Sequence, residues 1–312
     1  MRVLVALGGN AMTGPDGSAR PEDQVAAATR ATESVAALVA AGVDVVLTHG
    51  NGPQVGNLLV KNALAAHVVP PVPLDWCGAQ TQATLGFVLV GALEAALARH
   101  DVRRPVAALV TRTLVDGDDP GFDHPTKPVG RYLPADQARV LIEHGETWQD
   151  RGEKGWRRVV ASPEPLEVLD APAAAALMAA GYVVVANGGG GIPVVRAADG
   201  TVSGVEAVID KDLGAALLGR TVAADVLVIG TDVPHAVLDH GTADARDLHT
   251  VTVAKLRGHA ADGQFAAGSM GPKVEAACRF VEAGGDRAVI TDLDHLVPAA
   301  HGGAGTVVVP NP

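Results

Sequence analysis

Residues 182–193, YVVVANGGGGIP, constrain this chain more than any other stretch. The β-prone residues Tyr182, Val183, Val184 and Val185 run without polar interruption into Ala186, Asn187 and the glycines Gly188, Gly189, Gly190 and Gly191. That pattern reads as a buried strand ending in a loop of bare backbone. Lacking Cβ atoms, the glycines are free to take positive φ and turn several N–H groups toward one point, an arrangement suited to an anion. Shortly downstream, Val208-Ile209-Asp210-Lys211-Asp212 adds two carboxylates and an ammonium. Together the two features suggest a phosphate site, whereas polyglycine alone fits a tight strand-to-helix turn equally well.

Residues 2–7 form a second apolar run that stops at glycine, here Gly8-Gly9-Asn10. Pro21, Glu22 and Asp23 then open a helix, with Val25, Ala28, Thr32, Val35 and Val39 at helical spacing and Gly42 closing it. The same order of helix, brief turn and apolar strand recurs at residues 40–48, 179–185, 222–231 and 282–291. Because the spacing is irregular, these are supersecondary units and not a solenoid. Helices alternating with apolar strands predict an α/β chain with a mainly parallel sheet covered on both faces. In such sheets ligands sit beyond the carboxyl ends of the strands, where both glycine loops fall. Composition agrees: of 312 residues 48% are hydrophobic but only 3% aromatic, and small Ala, Val and Leu side chains let helices approach a sheet closely.

The formal charge of -11 argues against a nucleic-acid partner, and no run of lysine or arginine forms a basic stripe. Cys77 and Cys278 are the only cysteines, too few and too far apart for a disulfide framework or metal cluster, which fits a reducing cytoplasm. No stretch is expected to approach the ~18 apolar residues of a membrane helix. A soluble cytoplasmic protein is the expectation.

A third strand-to-loop junction is His49-Gly50-Asn51-Gly52-Pro53, where Pro53 suits a first helical position and the free N–H groups suit a carboxylate or phosphate. His49 is read as bonding the loop in preference to donating protons. A helix is predicted over 79–98 and a strand over 105–111. Between 116 and 165 charges and prolines accumulate while alanine becomes scarce, which marks an inserted lobe. Within it prolines flank Lys127 in His124-Pro125-Thr126-Lys127-Pro128, stiffening the backbone under an ammonium. Arg157 and Arg158 are adjacent cations there that suit an acidic ligand. Asp210-Lys211-Asp212 starts one helix and Gly268-Ser269-Met270-Gly271-Pro272-Lys273 another. Acids at a helix start are ordinary dipole partners, so Asp212 alone carries little meaning. A cation there is disfavoured unless something negative is near, which makes Lys211 informative.

Lys273 follows proline and precedes valine, so this is no Walker loop, and Pro193 stands where the dinucleotide fingerprint needs its third glycine. Several glycine loops with scattered lysines suit phosphoryl transfer between two small anions. Catalysis then comes from alignment and from cations placed where charge spreads, without a protein nucleophile.

With LGGNA (7–11), THGNGPQVG (48–56), PTKPVG (125–130), GWRRVV (155–160), NGGGGIPV (187–194), EAVIDKD (206–212) and GSMGPK (268–273) in this order, the chain resembles the carbamate kinases, a branch of the amino-acid kinase superfamily. The resemblance implies a three-layer αβα sandwich with an open, mainly parallel central sheet. It implies one domain over 1–312 with a lid-like subdomain inserted at about 116–165, the carbamate side mainly 1–180 and the nucleotide side mainly 181–312. The implied reaction is reversible phosphoryl transfer between MgATP and carbamate, with Mg²⁺ carried by ATP or ADP, in a homodimer whose partners are small molecules. Carried over, Lys211, Lys273, Lys127 and Asp210 are catalytic, and Asp210 organises Lys211 and the metal-bound phosphates. Gly8, Gly9, Asn10, Gly50, Asn51 and Gly52 hold carbamate and the moving phosphoryl group. Lys211, Lys273, Asp210, Gly188, Gly189 and Met270 bind nucleotide, and no residue is assigned as a metal ligand. Thr81-Gln82 replaces the family's usual Ser-Gln. After Thr231-Asp232-Val233 the family's acidic residue and tyrosine near adenine are replaced by Pro234 and by Val237 or Leu238, which bears on base preference. The alternatives are another small-acid kinase of the superfamily, or a catalytically silent homologue that binds nucleotide or metabolite.

Overall fold

The structure is a computed structural model that describes residues 1–14, 19–266 and 268–312. The first half runs β1 Arg2–Leu7, α1 Pro21–Ala40, β2 Asp44–His49, α2 Gly52–Ala65, α3 Leu74–Arg99, β3 Val106–Ala108 and β4 Arg112–Val115. The inserted segment contributes β5 Lys127–Leu133, α4 Ala135–Glu143, β6 Trp148–Asp150 and β7 Trp156–Val160. There follow β8 Pro165–Val168, α5 Ala171–Ala179, β9 Val183–Val185, β10 Ile192–Arg196, β11 Val202–Gly204 and α6 Lys211–Thr221. The chain closes with β12 Val226–Thr231, β13 Val237–Leu238, β14 Arg246–Asp247, β15 Thr250–Thr252, α7 Val253–Ala261, α8 Met270–Glu282, β16 Arg287–Asp292, α9 Leu296–Ala300 and β17 Thr306–Val309.

An eight-stranded sheet in the order β15-β17-β16-β12-β1-β2-β9-β3 forms the middle layer. Its pairings are parallel except between β16 and β17. Alternation along β1 divides the core into two. Val3, Val5 and Leu7 face α1, α3 and α9, while Leu4 and Ala6 face α5, α6, α7 and α8. This is the three-layer α/β sandwich expected of buried parallel strands, and small side chains let its layers approach.

A three-stranded antiparallel sheet, β5-β7-β6, stands outside the sandwich and lies within the segment read as an inserted lobe. The flanking strands β4 and β8 belong instead to a second sheet ordered β11-β10-β4-β8. The lobe is anchored by Val129 and Val160, which cluster with Val55, Leu74 and Cys77 at the starts of α2 and α3.

Three sequence expectations change. The strand predicted over 105–111 divides: β3 ends at Ala108, and Thr111 O accepts from Ile192 N at 2.9 Å where the second sheet begins, while the Gln82 side chain accepts from Thr111 N (2.8 Å) and donates to Thr111 O (3.1 Å). Helix α3 starts at Leu74, earlier than expected, because Glu206 accepts the Leu74 N–H at 2.7 Å from 132 residues away. It is also long and apolar enough by length and composition to cross a membrane, contrary to the reading that no stretch is. One face of it, with Leu85, Leu89, Leu93 and Leu97, is buried in the core against the sheet.

Leu89 is fully buried in that core. Leu89→Ala is expected to destabilise the protein by about 2–5 kcal/mol through lost transfer energy and the cavity left behind. Urea unfolding monitored by circular dichroism checks this, and an unchanged midpoint contradicts the packing.

Candidate active site

The site is built where β1, β2 and β9 end. Gly50 N donates to Leu7 O at 3.0 Å, tying the β2 loop to the β1 loop. A Cβ on Gly50 would lie 2.8 Å from both Gly9 N and Gly9 Cα, so the loops meet backbone to backbone at a distance only glycine permits. Asn51 Nδ2 donates to Thr81 Oγ1 at 2.9 Å, and Gln82 Nε2 donates to Gly188 O at 2.9 Å. Buried side chains of α3 thus hold both loops from beneath.

His49 sits under this floor, 1% exposed, with its ring against Gly188. Its Nδ1 is 3.0 Å from Gly50 O, which accepts the imidazole proton. Burial pulls the His49 pKa down to about 4, outweighing the Gly50 bond, so the ring is neutral at pH 7 and braces the loop. This is the loop-bonding role expected of it.

The glycine loop itself differs from its reading as an anion nest. Gly190 N donates to Asn187 O and Gly191 N to Gly188 O, so these N–H groups close the loop on itself. Glycine is required here by close approach: a Cβ on Gly190, whose φ is +88°, would lie 2.9 Å from Ile209 Cβ, and those on Gly188 and Gly189 would strike His49 and Asn51.

Charge enters from the lobe, α6 and α8. Asp210 is the N-cap of α6, accepting from Asp212 N at 2.9 Å and Leu213 N at 3.3 Å. Its other oxygen receives Lys127 Nζ at 2.6 Å. Lys211 Nζ donates to Asp212 Oδ1, and Lys273 Nζ donates to Asp212 Oδ2 at 3.1 Å. Asp212, 2% exposed, therefore holds ammonium groups from two helices in one carboxylate. Burial would raise its pKa, but attraction to Lys211 and Lys273 wins and keeps it below the usual carboxylate range. Burial lowers the Lys211 pKa; Asp212 opposes the shift and Lys273 adds to it.

These groups line one cleft of about 260 Å³. Lys127, Asp210, Lys211, Lys273, Gly9, Gly50, Asn51, Gly52 and Gly189 all border it. Gly8, Gly188 and Met270 are not among its lining residues. Gly8 lies against β12, where a Cβ would be 3.0 Å from Gly230 O, while Met270 packs on the apolar core of the α6–α8 layer. The Asn10 side chain lies outside the described residues. Asp210 bonds Lys127, and the group that bonds Lys211 is Asp212, which sequence reading set aside as a dipole partner. The available signal was the unexplained cation at the start of α6, whose neighbour supplies the missing negative charge.

A glycine-floored cleft with lysines converging beyond the strand ends defines a phosphate-handling α/β protein. The model of the amino acid kinase family matches residues 1–292, and the chain belongs to that family. It is 44% identical over 312 residues to the carbamate kinase of Thermococcus kodakarensis and 42% identical to that of Pyrococcus furiosus, with 99% of each chain covered in both cases. Among solved structures it is similar to the carbamate kinase from Giardia lamblia bound to AMP-PNP, with a TM-score of 0.93 and 38% identity over 99% of this chain and 98% of that one. Within the family it falls among the carbamate kinases.

The buried imidazole generates a pH prediction. Since the His49 pKa drops from 6.5 to about 4 on folding, the unfolded chain binds more protons within that window. Stability is therefore lost as pH falls through it, by about 1.4 kcal/mol per unit at the steepest. Urea midpoints at pH 7 and pH 5 should diverge less in His49→Gln than in the parent. Equal pH dependence in the two proteins contradicts a neutral buried ring.

Proposed function

We propose that the protein catalyses reversible phosphoryl transfer between MgATP and carbamate, giving ADP and carbamoyl phosphate. The observation that carries this reading is the meeting of Lys211 and Lys273 on one buried carboxylate, with Lys127 opposite on Asp210, around a floor of backbone loops. Donor and acceptor are both anions, so their approach is opposed by charge. Ammonium groups placed where negative charge spreads on the transferring group relieve that opposition, and no protein nucleophile takes part.

In the ATP-forming direction a terminal phosphate oxygen of ADP attacks phosphorus as the bond to the carbamoyl oxygen breaks, and carbamate leaves with the electron pair. Lys211 and Lys273 bind the nucleotide phosphates and the moving group. Gly9, Gly50, Asn51 and Gly52 hold the carbamoyl end, and Lys127 reaches in as the lobe closes as a lid. Asp212 keeps two like charges side by side before any ligand arrives. Asp210 and Asp212 are both engaged by lysines, and the described residues contain no group of three or more side chains able to ligate a metal. Mg²⁺ in this reading travels on the nucleotide phosphates and neutralises their charge, with Asp210 the carboxylate best placed to meet it.

The silent-homologue reading requires a lost site charge, and each ammonium here retains its carboxylate. We place the enzyme in the cytoplasm, where its buried free thiols Cys77 and Cys278 suit reducing conditions. We also propose a homodimer formed through the outer face of α3, on which Trp76 is 60% and Phe87 80% exposed. Light scattering that gives the mass of one chain would refute the dimer.

Purified protein should make ATP from ADP and carbamoyl phosphate with Mg²⁺ in a coupled assay. Lys211→Met should lower the rate about 10²-fold or more while leaving the circular dichroism spectrum unchanged. Equal rates for variant and parent remove Lys211 from the mechanism.

A further inference from the structure

Two of the motif segments end in glycine, THGNGPQVG at Gly56 and PTKPVG at Gly130, and the fold brings those glycines together. Gly56 lies in α2 and Gly130 in β5 of the lobe. A Cβ on Gly56 would lie 3.3 Å from Gly130 Cα and 3.6 Å from Gly130 N, so helix and strand meet backbone to backbone. Glycine inside a helix is less favourable than alanine, so close packing accounts for Gly56 where helix formation does not. Gly130 takes a φ of +67°, and around it the pairing of β5 with β7 shifts register between Val129 and Tyr132. A bulge of this kind bends the strand that carries it and re-aims its side chains.

The glycine contact fixes how high the lobe stands over α2. To one side of it Val129 packs in a cluster with Val55. To the other side helix and lobe part, leaving a cavity of about 110 Å³ bordered by Leu59, Val60, Leu133 and Trp148. Side chains do not fill that flank, so bare backbone on bare backbone sets the separation there. Lys127 stands three residues before Gly130, about 10 Å away along an extended strand. Pro128 lies between them and stiffens the stretch. The Lys127 ammonium ends on Asp210 at 2.6 Å and borders the cleft. A shift of β5 at Gly130 is thus passed on to the ammonium that serves the transfer in the reading given above, on which this inference rests.

We propose that Gly56 is a positioning residue for Lys127. Its bare backbone is the seat on which Gly130 rests, and the depth of that seat sets how far the Lys127 ammonium reaches into the cleft. Gly56 touches no reacting atom and acts through the lobe strand alone.

The experiment compares the parent with Gly56→Ala and Gly56→Val, each also made in a Lys127→Met background. Alanine strengthens a helix, so a loss of rate in Gly56→Ala does not come from a weakened α2. In the ATP-forming assay Gly56→Ala is expected to lower kcat about fivefold and Gly56→Val about 10²-fold, with KM for ADP within about twofold of the parent's. In the Lys127→Met background Gly56→Ala should change kcat by less than about twofold, because the lysine it positions is gone. Thermal melting verifies that the variants are folded; if Gly56→Val is not, the comparison rests on Gly56→Ala. A kcat for Gly56→Ala equal to the parent's, or the same fall with and without Lys127, overturns the proposal. A second readout needs no turnover: acetylation of Lys127 by acetic anhydride, followed by peptide mass spectrometry with Lys273 as the internal reference. Loosening the Lys127–Asp210 pair should raise labelling of Lys127 relative to Lys273 about threefold in the folded variant with the larger side chain. An unchanged ratio overturns the proposal. Should the parent fail to turn over carbamoyl phosphate, the proposed reaction falls, and the labelling ratio alone decides whether Gly56 sets the place of Lys127.

Discussion

The arrangement of the site depends on one buried carboxylate. Asp212 lies between the ammonium groups of Lys211 and Lys273, which are far apart in sequence and start different helices. Two like charges held on one buried carboxylate repel strongly where water hardly screens them. The carboxylate between them turns repulsion into a fixed pair. It leaves positive charge in excess, since Lys127 has already taken Asp210. In the proposed reaction an incoming phosphate would complete a charge balance that the chain leaves open, meeting cations whose positions are set in advance.

That carboxylate reaches its place because the backbone beneath it is bare. A Cβ on Gly214, one turn into α6, would lie 3.0 Å from Gly190 Cα, so the helix rests directly on the central glycine loop. The loop in turn receives His49 and Asn51 from the β2 junction. Glycine's part in this site is to let three strand ends and a helix start come within contact distance. The Gly9 and Gly50–Gly52 junctions, and not the whole of the central glycine loop, form the backbone floor that borders the cleft.

Much of this was legible in the chain itself. Alternating helices and apolar strands specify a covered parallel sheet, and β1 divides its side chains between two core layers as the pattern requires. The lysines at the starts of α6 and α8 were identifiable because a cation is out of place there. What remained hidden depends on contacts between distant segments. Asp212 reads as an ordinary first-turn acid until α8 delivers Lys273 to its second oxygen. Gln82 bonds both backbone polar groups of Thr111 from 29 residues away, and Glu206 extends α3 from 132 residues away. Local pattern carries no record of such bonds. Polyglycine was ambiguous for a related reason, since tight packing and anion binding both call for a missing Cβ.

The most direct test is a crystal structure of the protein with ADP, Mg²⁺, carbamate and aluminium fluoride, which imitates the phosphoryl group in flight. The account predicts the fluoride within about 3 Å of both Lys211 Nζ and Lys273 Nζ, on the floor formed by Gly9 and Gly50, with Asp212 still between the ammonium groups. A fluoride bound elsewhere, or one reached by only one of these lysines, would contradict it.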